Sequence, residues 1–207
     1  MLRDINLRNI HNTPPIGGDE TNSASRDGGK LHPHKFIMWV AIGSILMMFA
    51  GLTSAYIVKS NLAGWEEVET PNAFWYSTAL ILLSSLTIQM ALRSFKQRAM
   101  QQYRLLIGIT LLLGIGFVVL QWVGFNWLWD HGVQLKGAGA GQFLYIIAGL
   151  HGLHVIGGII ALTVIFLKAY FGKTKNYNAV PIEVAGTYWH FVDILWIYLL
   201  IFFIWVG

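Results

Sequence analysis

Five apolar runs, residues 36–58, 73–92, 105–125, 143–167 and 184–206, alternate with short polar segments along the chain. Each reaches the roughly 20 residues that a helix needs to cross a hydrocarbon core. The pattern predicts an all-α membrane protein, a five-transmembrane-helix bundle over residues 36–207 behind a polar tail of residues 1–35. No segment between the runs is long enough to fold as a soluble domain of its own. Aromatic residues sit where the runs meet the interfaces: Trp65, Trp75, Trp127, Trp129 and Trp205 near one side, Trp39, Tyr103, Tyr170 and Tyr177 near the other. Interfacial anchoring accounts for them. Small residues four apart, Gly51/Ala55, Ala148/Gly152 and Gly157/Ala161, allow helices to approach closely without naming the neighbours.

Composition agrees: the 207 residues are 55% hydrophobic and 12% charged, about half the charge of a soluble domain. The basic residues fix an orientation. The tail carries Arg3, Arg8, Arg26, Lys30 and Lys35, the second connection Arg93, Lys96, Arg98 and Arg104, and the fourth Lys168, Lys173 and Lys175. Lys59 and Lys136 stand alone in the first and third, so the alternating segments divide the 14 basic residues twelve to two. The excess marks the cytoplasmic side. The N-terminus is therefore expected in the cytoplasm and the C-terminus on the outer, periplasmic side. Glu66, Glu67, Glu69 and Asp130 fall in the outer segments. The net charge of +4 follows topology and does not indicate nucleic-acid binding. Cysteine is absent, which excludes disulfides, thiol catalysis and thiolate-bound metal.

The tail is polar and contains Pro14, Pro15 and two Gly-Gly pairs, without the apolar centre of a secretory signal. Its composition is that of a disordered segment. The chain's own cytoplasmic loops could hold it; we expect a partner subunit to do so.

Against this background, five ionisable residues inside or bordering the last two runs stand out: His151, His154, Glu183, His190 and Asp193. Charged groups at membrane depth are costly and mark function by default. His151 and His154, three apart, share one helix face, and Glu183, His190 and Asp193 share a face about 80° wide on the next helix. Glu183 follows Asn178 and Pro181, a combination suited to a helix start, where an acid is favoured by the dipole. The depths differ, with the histidine pair in the outer half of the fourth helix, Glu183 at the inner end of the fifth, and His190 and Asp193 nearer the middle. A spread set of pairs is expected rather than one compact site.

Three chemistries compete for this set. Di-iron bundles use Glu-x-x-His motifs from two helices, and this chain has none. A proton path can be built from Asp, Glu and His. The third reading is structural: imidazole and carboxylate pair across helices and satisfy groups that hydrocarbon cannot solvate. We take the third.

The motif Gly149-Leu150-His151-Gly152-Leu153-His154-Val155, and the later Tyr188-Trp189-His190-Phe191-Val192-Asp193 with Trp196 beyond it, resemble the signature segments of subunit III of haem–copper terminal oxidases. The likeness covers all five helices, the last five of seven-helix members and the full set of the five-helix bacterial type. It implies a non-redox accessory subunit of a cytochrome c oxidase in the bacterial inner membrane, part of aerobic electron transport. It would pack on subunit I, with subunit II and other respiratory-complex chains nearby, and support the proton uptake and stability of subunit I. The resemblance implies no catalytic, cofactor-binding or metal residue in this chain, haem and copper in the partner subunits, and room for bound phospholipid.

One departure stands out. In Phe36-Ile37-Met38-Trp39-Val40-Ala41-Ile42-Gly43-Ser44-Ile45 the family's membrane glutamate after the serine is replaced by Ile45, so roles tied to that carboxylate do not carry over. The first two helices of larger members are missing from the resemblance, so the lipid-filled cleft they help form does not carry over with it. Rival readings are a quinol oxidase subunit, the related accessory protein of nitric oxide reductase, and a stand-alone proton-coupled transporter or metalloenzyme.

Overall fold

The computed structural model describes residues 33–61, 71–133, 140–171 and 179–206. They form α1 (Pro33–Ser60), α2 (Asn72–Lys96), α3 (Met100–Asp130), α4 (Ala140–Phe171) and α5 (Val180–Val206), and no strand occurs among the described residues. The tail before Pro33, Trp65, Glu66, Glu67, Glu69, Lys136, Lys173, Lys175, Tyr177 and the expected cap Asn178 lie outside the described residues. All five helices are long and apolar enough to span a membrane.

Each helix outruns its apolar run. The 31 residues of α3 rise roughly 46 Å, against a hydrocarbon core of about 30 Å. Helical hydrogen bonds are local and continue through the polar and aromatic ends, here Gln101 to Arg104 and Asn126 to Trp129.

The α2–α3 pair shows how the bundle is built. Buried positions on α2 run Phe74, Ser77, Ile81, Ser84, Ile88, Ala91. Those on α3 run Tyr103, Ile107, Thr110, Gly114, Phe117, Gln121, Gly124, Leu128. Steps of three and four alternate, giving the 3.5-residue repeat of a left-handed supercoil. The two seams mesh antiparallel. The Phe74 ring lies against Gly124, Ser77 accepts from Gln121 at 3.0 Å, Thr87 meets Thr110 at 2.8 Å, and Phe95 meets Tyr103 with ring centroids 5.0 Å apart.

Only residues 97–99 separate the two helices. Arg98 adopts φ 60°, a left-handed conformation that usually falls to glycine at a helix end. Its N–H bonds the Phe95 carbonyl, and the Ala99 N–H bonds that of Ser94, so the last carbonyls of α2 are capped.

α5 is the hub. It packs against α1, α2 and α4 and buries two stripes: Ile182, Gly186, Trp189, Asp193, Trp196, Leu200 and Phe203, and beside them Val192, Leu195, Leu199 and Phe202. α1 is the least embedded, touching only α4 and α5. Its seam runs Ile42, Ile45, Phe49, Leu52 and Tyr56. The Tyr56 ring nests among Phe143, Phe202 and Phe203 at 5.9, 5.1 and 6.2 Å. Ile45 thus stands where the family has a glutamate and packs its side chain onto the core.

Candidate functional site

Two tryptophans of α5 organise the centre of the bundle. The Trp189 indole passes between helices at their glycines: Gly114 of α3 lies against Cη2 and Cζ2, and Gly158 of α4 against Cε3 and Cζ3. Its Nε1–H donates to Ser84 Oγ of α2 at 2.9 Å. That hydroxyl in turn donates to the Ile81 carbonyl at 2.7 Å, so neither polar group is left unpaired in a fully buried place. Two turns along, Trp196 Nε1–H donates to Thr78 Oγ1 at 2.9 Å. The Trp196 ring meets Phe74 and Phe117 edge-on at 5.5 and 5.3 Å. It stacks on His151 at 5.2 Å with planes 28° apart.

His151 is completely buried. Its ring is enclosed by Trp196, by Phe117 at 6.2 Å and by Phe49 at 6.3 Å, residues from three other helices. Neither ring nitrogen has a hydrogen-bond partner. His154, half-buried, turns its Nδ1 to the Leu150 carbonyl at 2.7 Å, which fixes the proton on Nδ1. The Leu150 bond lies within α4, while the His154 carbonyl accepts from Tyr188 Oη at 3.0 Å.

His190 lies between two α2 side chains, with Nδ1 2.6 Å from Ser85 Oγ and Nε2 3.3 Å from Gln89 Oε1. Asp193, only 3% exposed, makes no hydrogen bond through either carboxyl oxygen. Glu183 sits apart, in the first turn of α5. Lys35 of α1 reaches its Oε2 at 3.0 Å and Lys96 of α2 its Oε1 at 3.1 Å, so one carboxylate ties three helices. Beside it, where the α1 and α2 backbones stand apart over α5, a groove of about 330 Å³ opens, lined by Lys35, Trp39, Gln89, Lys96, Glu183 and His190 among others.

The arrangement departs from the sequence expectation in two respects. The partners of the described imidazoles are hydroxyl, amide, backbone and aromatic groups rather than carboxylates. Depth is also less dispersed. Trp196 stands level with His151 and Trp189 with Gly158. His151, His154, Asp193 and His190 therefore fall within roughly 9 Å along the helix axes. Among the described residues, no three His, Asp or Glu side chains converge as metal ligands do.

Sequence reasoning passed over Ser84, Ser85, Thr78 and Gln89, and the basic partners Lys35 and Lys96. A signal was present. α2 is the least hydropathic of the five helices, and its hydroxyls recur at the spacing of a buried seam.

These features define a multi-pass helical membrane protein whose buried polar groups largely knit helix to helix. The family profile of cytochrome c oxidase subunit III matches residues 34–207. A probable cytochrome c oxidase subunit 3 of Mycobacterium tuberculosis is 34% identical over 194 residues, covering 89% of this chain and 95% of that protein. A cytochrome c oxidase subunit 3 of Corynebacterium diphtheriae is 31% identical over 203 residues, 91% of this chain and 97% of that one. One from a Bacillus species is 30% identical over 171 residues, 80% and 83%. The chain belongs to the cytochrome c oxidase subunit III family, and so to the subunits of a multi-chain membrane oxidase.

Proposed function

We propose that this chain is the non-redox subunit III of a bacterial cytochrome c oxidase, in the inner membrane with its N-terminus cytoplasmic. It packs on subunit I and supports that subunit's proton uptake and stability. It has no catalytic centre of its own; haem and copper belong to the partner subunits, and phospholipid fills gaps along its surface. The observation that carries this reading is the match over all five helices, together with the use of the signature residues: Trp189, His190 and Trp196 bind α5 to α2. The twelve-to-two division of basic residues supports the orientation, and relatives named as cytochrome c oxidase subunits support the electron donor.

Purification of the assembled complex tests it. A haem- and copper-containing chain should co-purify, and the complex should oxidise reduced cytochrome c. When this chain is stripped away, initial electron transfer should persist while proton uptake slows and activity decays during turnover. Quinol oxidation without cytochrome c would replace the donor, and nitric oxide reduction would replace the complex. Stoichiometric iron or zinc in the isolated chain, or activity without partners, would overturn the accessory role in favour of a stand-alone enzyme or transporter.

A further inference from the structure

The exposed surface of the bundle is not uniform. From Leu105 to Val123 every exposed side chain of α3 is apolar or aromatic, and from Ile146 to Leu167 every exposed residue of α4 is apolar. Away from the helix ends, the exposed polar side chains belong to α1, α2 and α5, among them Ser44, Gln89, Thr187 and Tyr198. Gln89 and Thr187 line the groove between α1 and α2, two helices that do not touch each other among the described residues. Gln89 stands seven residues before Lys96 on α2, roughly 10 Å along the helix from that end. Its Oε1 meets His190 Nε2 at 3.3 Å, and its amide nitrogen has no partner among the described residues. Turning the amide over exchanges the two groups and still leaves one of them unpaired. Such a group is costly in hydrocarbon, which offers it no partner. The groove is also lined by Gly186, where an added β-carbon would meet nothing within 4 Å.

We propose that this groove seats a transmembrane helix of the haem-bearing subunit, with a hydrogen-bonding side chain opposite Gln89 and a carboxylate near the Lys35 and Lys96 end. Depth decides against a phospholipid. Its phosphate and ester oxygens stay at the interface, level with the lysines, and only acyl chain reaches Gln89. A helix can present a polar side chain at any turn. Volume agrees: about 330 Å³ takes a few side chains from one helix face, as when a ridge enters a groove. A glycine in the groove lets the incoming backbone come close. Charge agrees too. Lys35 and Lys96 share the single carboxylate of Glu183, so the rim keeps a surplus positive charge for an acid on the partner. Trp39, 64% exposed on the α1 wall, supplies an aromatic anchor of the kind enriched at interfaces. That the partner is the haem-bearing subunit rests on the function proposed above; that the occupant is a helix rests on the groove.

Photo-crosslinking in the intact complex tests the seat. Benzoylphenylalanine in place of Thr187 should join a transmembrane peptide of the haem-bearing chain, identified by mass spectrometry. In place of Leu112 or Ile160, both exposed, it should give lipid adducts. Lipid adducts alone at Thr187, adducts there to this chain alone, or subunit adducts from Leu112 and Ile160 instead, overturn the proposal. Two substitutions probe the contact itself. Gly186→Leu should fill the groove and speed release of this chain from the complex in detergent roughly tenfold, as overpacking a contact does, with its level in membranes unchanged. Ala161→Leu, on the exposed apolar side of α4, should leave release unchanged. Gln89→Met removes the amide and nearly keeps the shape, and should speed release about threefold, the loss of a typical interhelical bond in membranes. An acyl chain against Gln89 would make that change neutral or favourable. Equal release for Gly186→Leu and Ala161→Leu, or no acceleration by Gln89→Met, overturns the proposal. The function proposed above fails separately, if no haem- and copper-bearing chain co-purifies.

Discussion

A β-carbon added at Gly114 would stand 2.8 Å from Cη2 of Trp189, and one at Gly158 would stand 3.0 Å from Cε3 and Cζ3. The indole cannot retreat freely, because its Nε1–H is fixed to Ser84 on the far helix. Two effects oppose each other in a Gly→Ala change here. Helix propensity gains about 1 kcal/mol, while overpacking a filled core costs about 1–3 kcal/mol. At Gly114, where the approach is closest, overpacking should win, and Gly114→Ala should lower the midpoint of unfolding. Gly158→Ala should follow with a smaller loss, since Trp189 Cε3 and Cζ3 lie slightly farther off. Gly152, on the same helix as Gly158, meets nothing within 4 Å, so Gly152→Ala should be neutral or slightly stabilising. Denaturant titration of the three variants decides it; equal effects at all three would remove the wedge from the account. A different loss follows at Ser84, where Ser84→Ala leaves the Trp189 indole N–H buried without an acceptor. That should cost about 1–3 kcal/mol by the same titration.

Between helices, the side-chain bonds should prove unequal. Thr87 and Thr110 meet at 2.8 Å, but Thr110 also donates to the Leu106 carbonyl at 2.9 Å. Thr87→Val therefore strands no donor, and the loss should be about 0.6 kcal/mol, typical of interhelical bonds in membranes. Glu183→Gln releases Lys35 and Lys96 together. Both lysines are well exposed, at 41% and 57%, so screening should hold the loss below about 1 kcal/mol. Its readout is faster amide exchange at the start of α1 and the end of α2. The five helices were legible in the sequence because length and apolarity suffice to declare a spanning segment. Their seams were not. Exposed positions such as Leu82, Leu86 and Leu112 are as apolar as Ile81 or Ile107, so hydrophobicity does not mark the buried side. The 3.5-residue repeat is written instead in small and polar residues: Ser77 and Ser84 on α2, Gly114, Gln121 and Gly124 on α3. His151 and Asp193 were legible as candidates, but the rings that enclose His151 come from three other helices, which spacing within one helix cannot convey.

At the scale of the molecule, α1 hangs from the hub by a single seam. It meets α4 and α5 alone, and away from that seam it leaves Ile37, Val40, Leu46 and Met47 exposed. Phe49 is the centre of that seam, 1% exposed, with its ring against His151 and His154 at 6.3 and 5.8 Å. Thr53 Oγ1 to Tyr198 Oη at 3.2 Å and Lys35 to Glu183 add polar ties beside it. Phe49→Ala removes a buried ring, a loss of about 3–5 kcal/mol in a packed core. The loss falls on one helix, so α1 should open locally while α2 to α5 hold. The absence of native cysteine makes single-cysteine labelling a clean readout. In membranes, a thiol reagent should modify Ile45→Cys faster once Phe49→Ala is added, because position 45 lies in the seam. Leu162→Cys, at a 1% exposed site on α4, should label at an unchanged rate. Acceleration at both sites would mean that Phe49 stabilises the whole bundle. Acceleration at neither would mean that Phe49 is not what holds α1 in place.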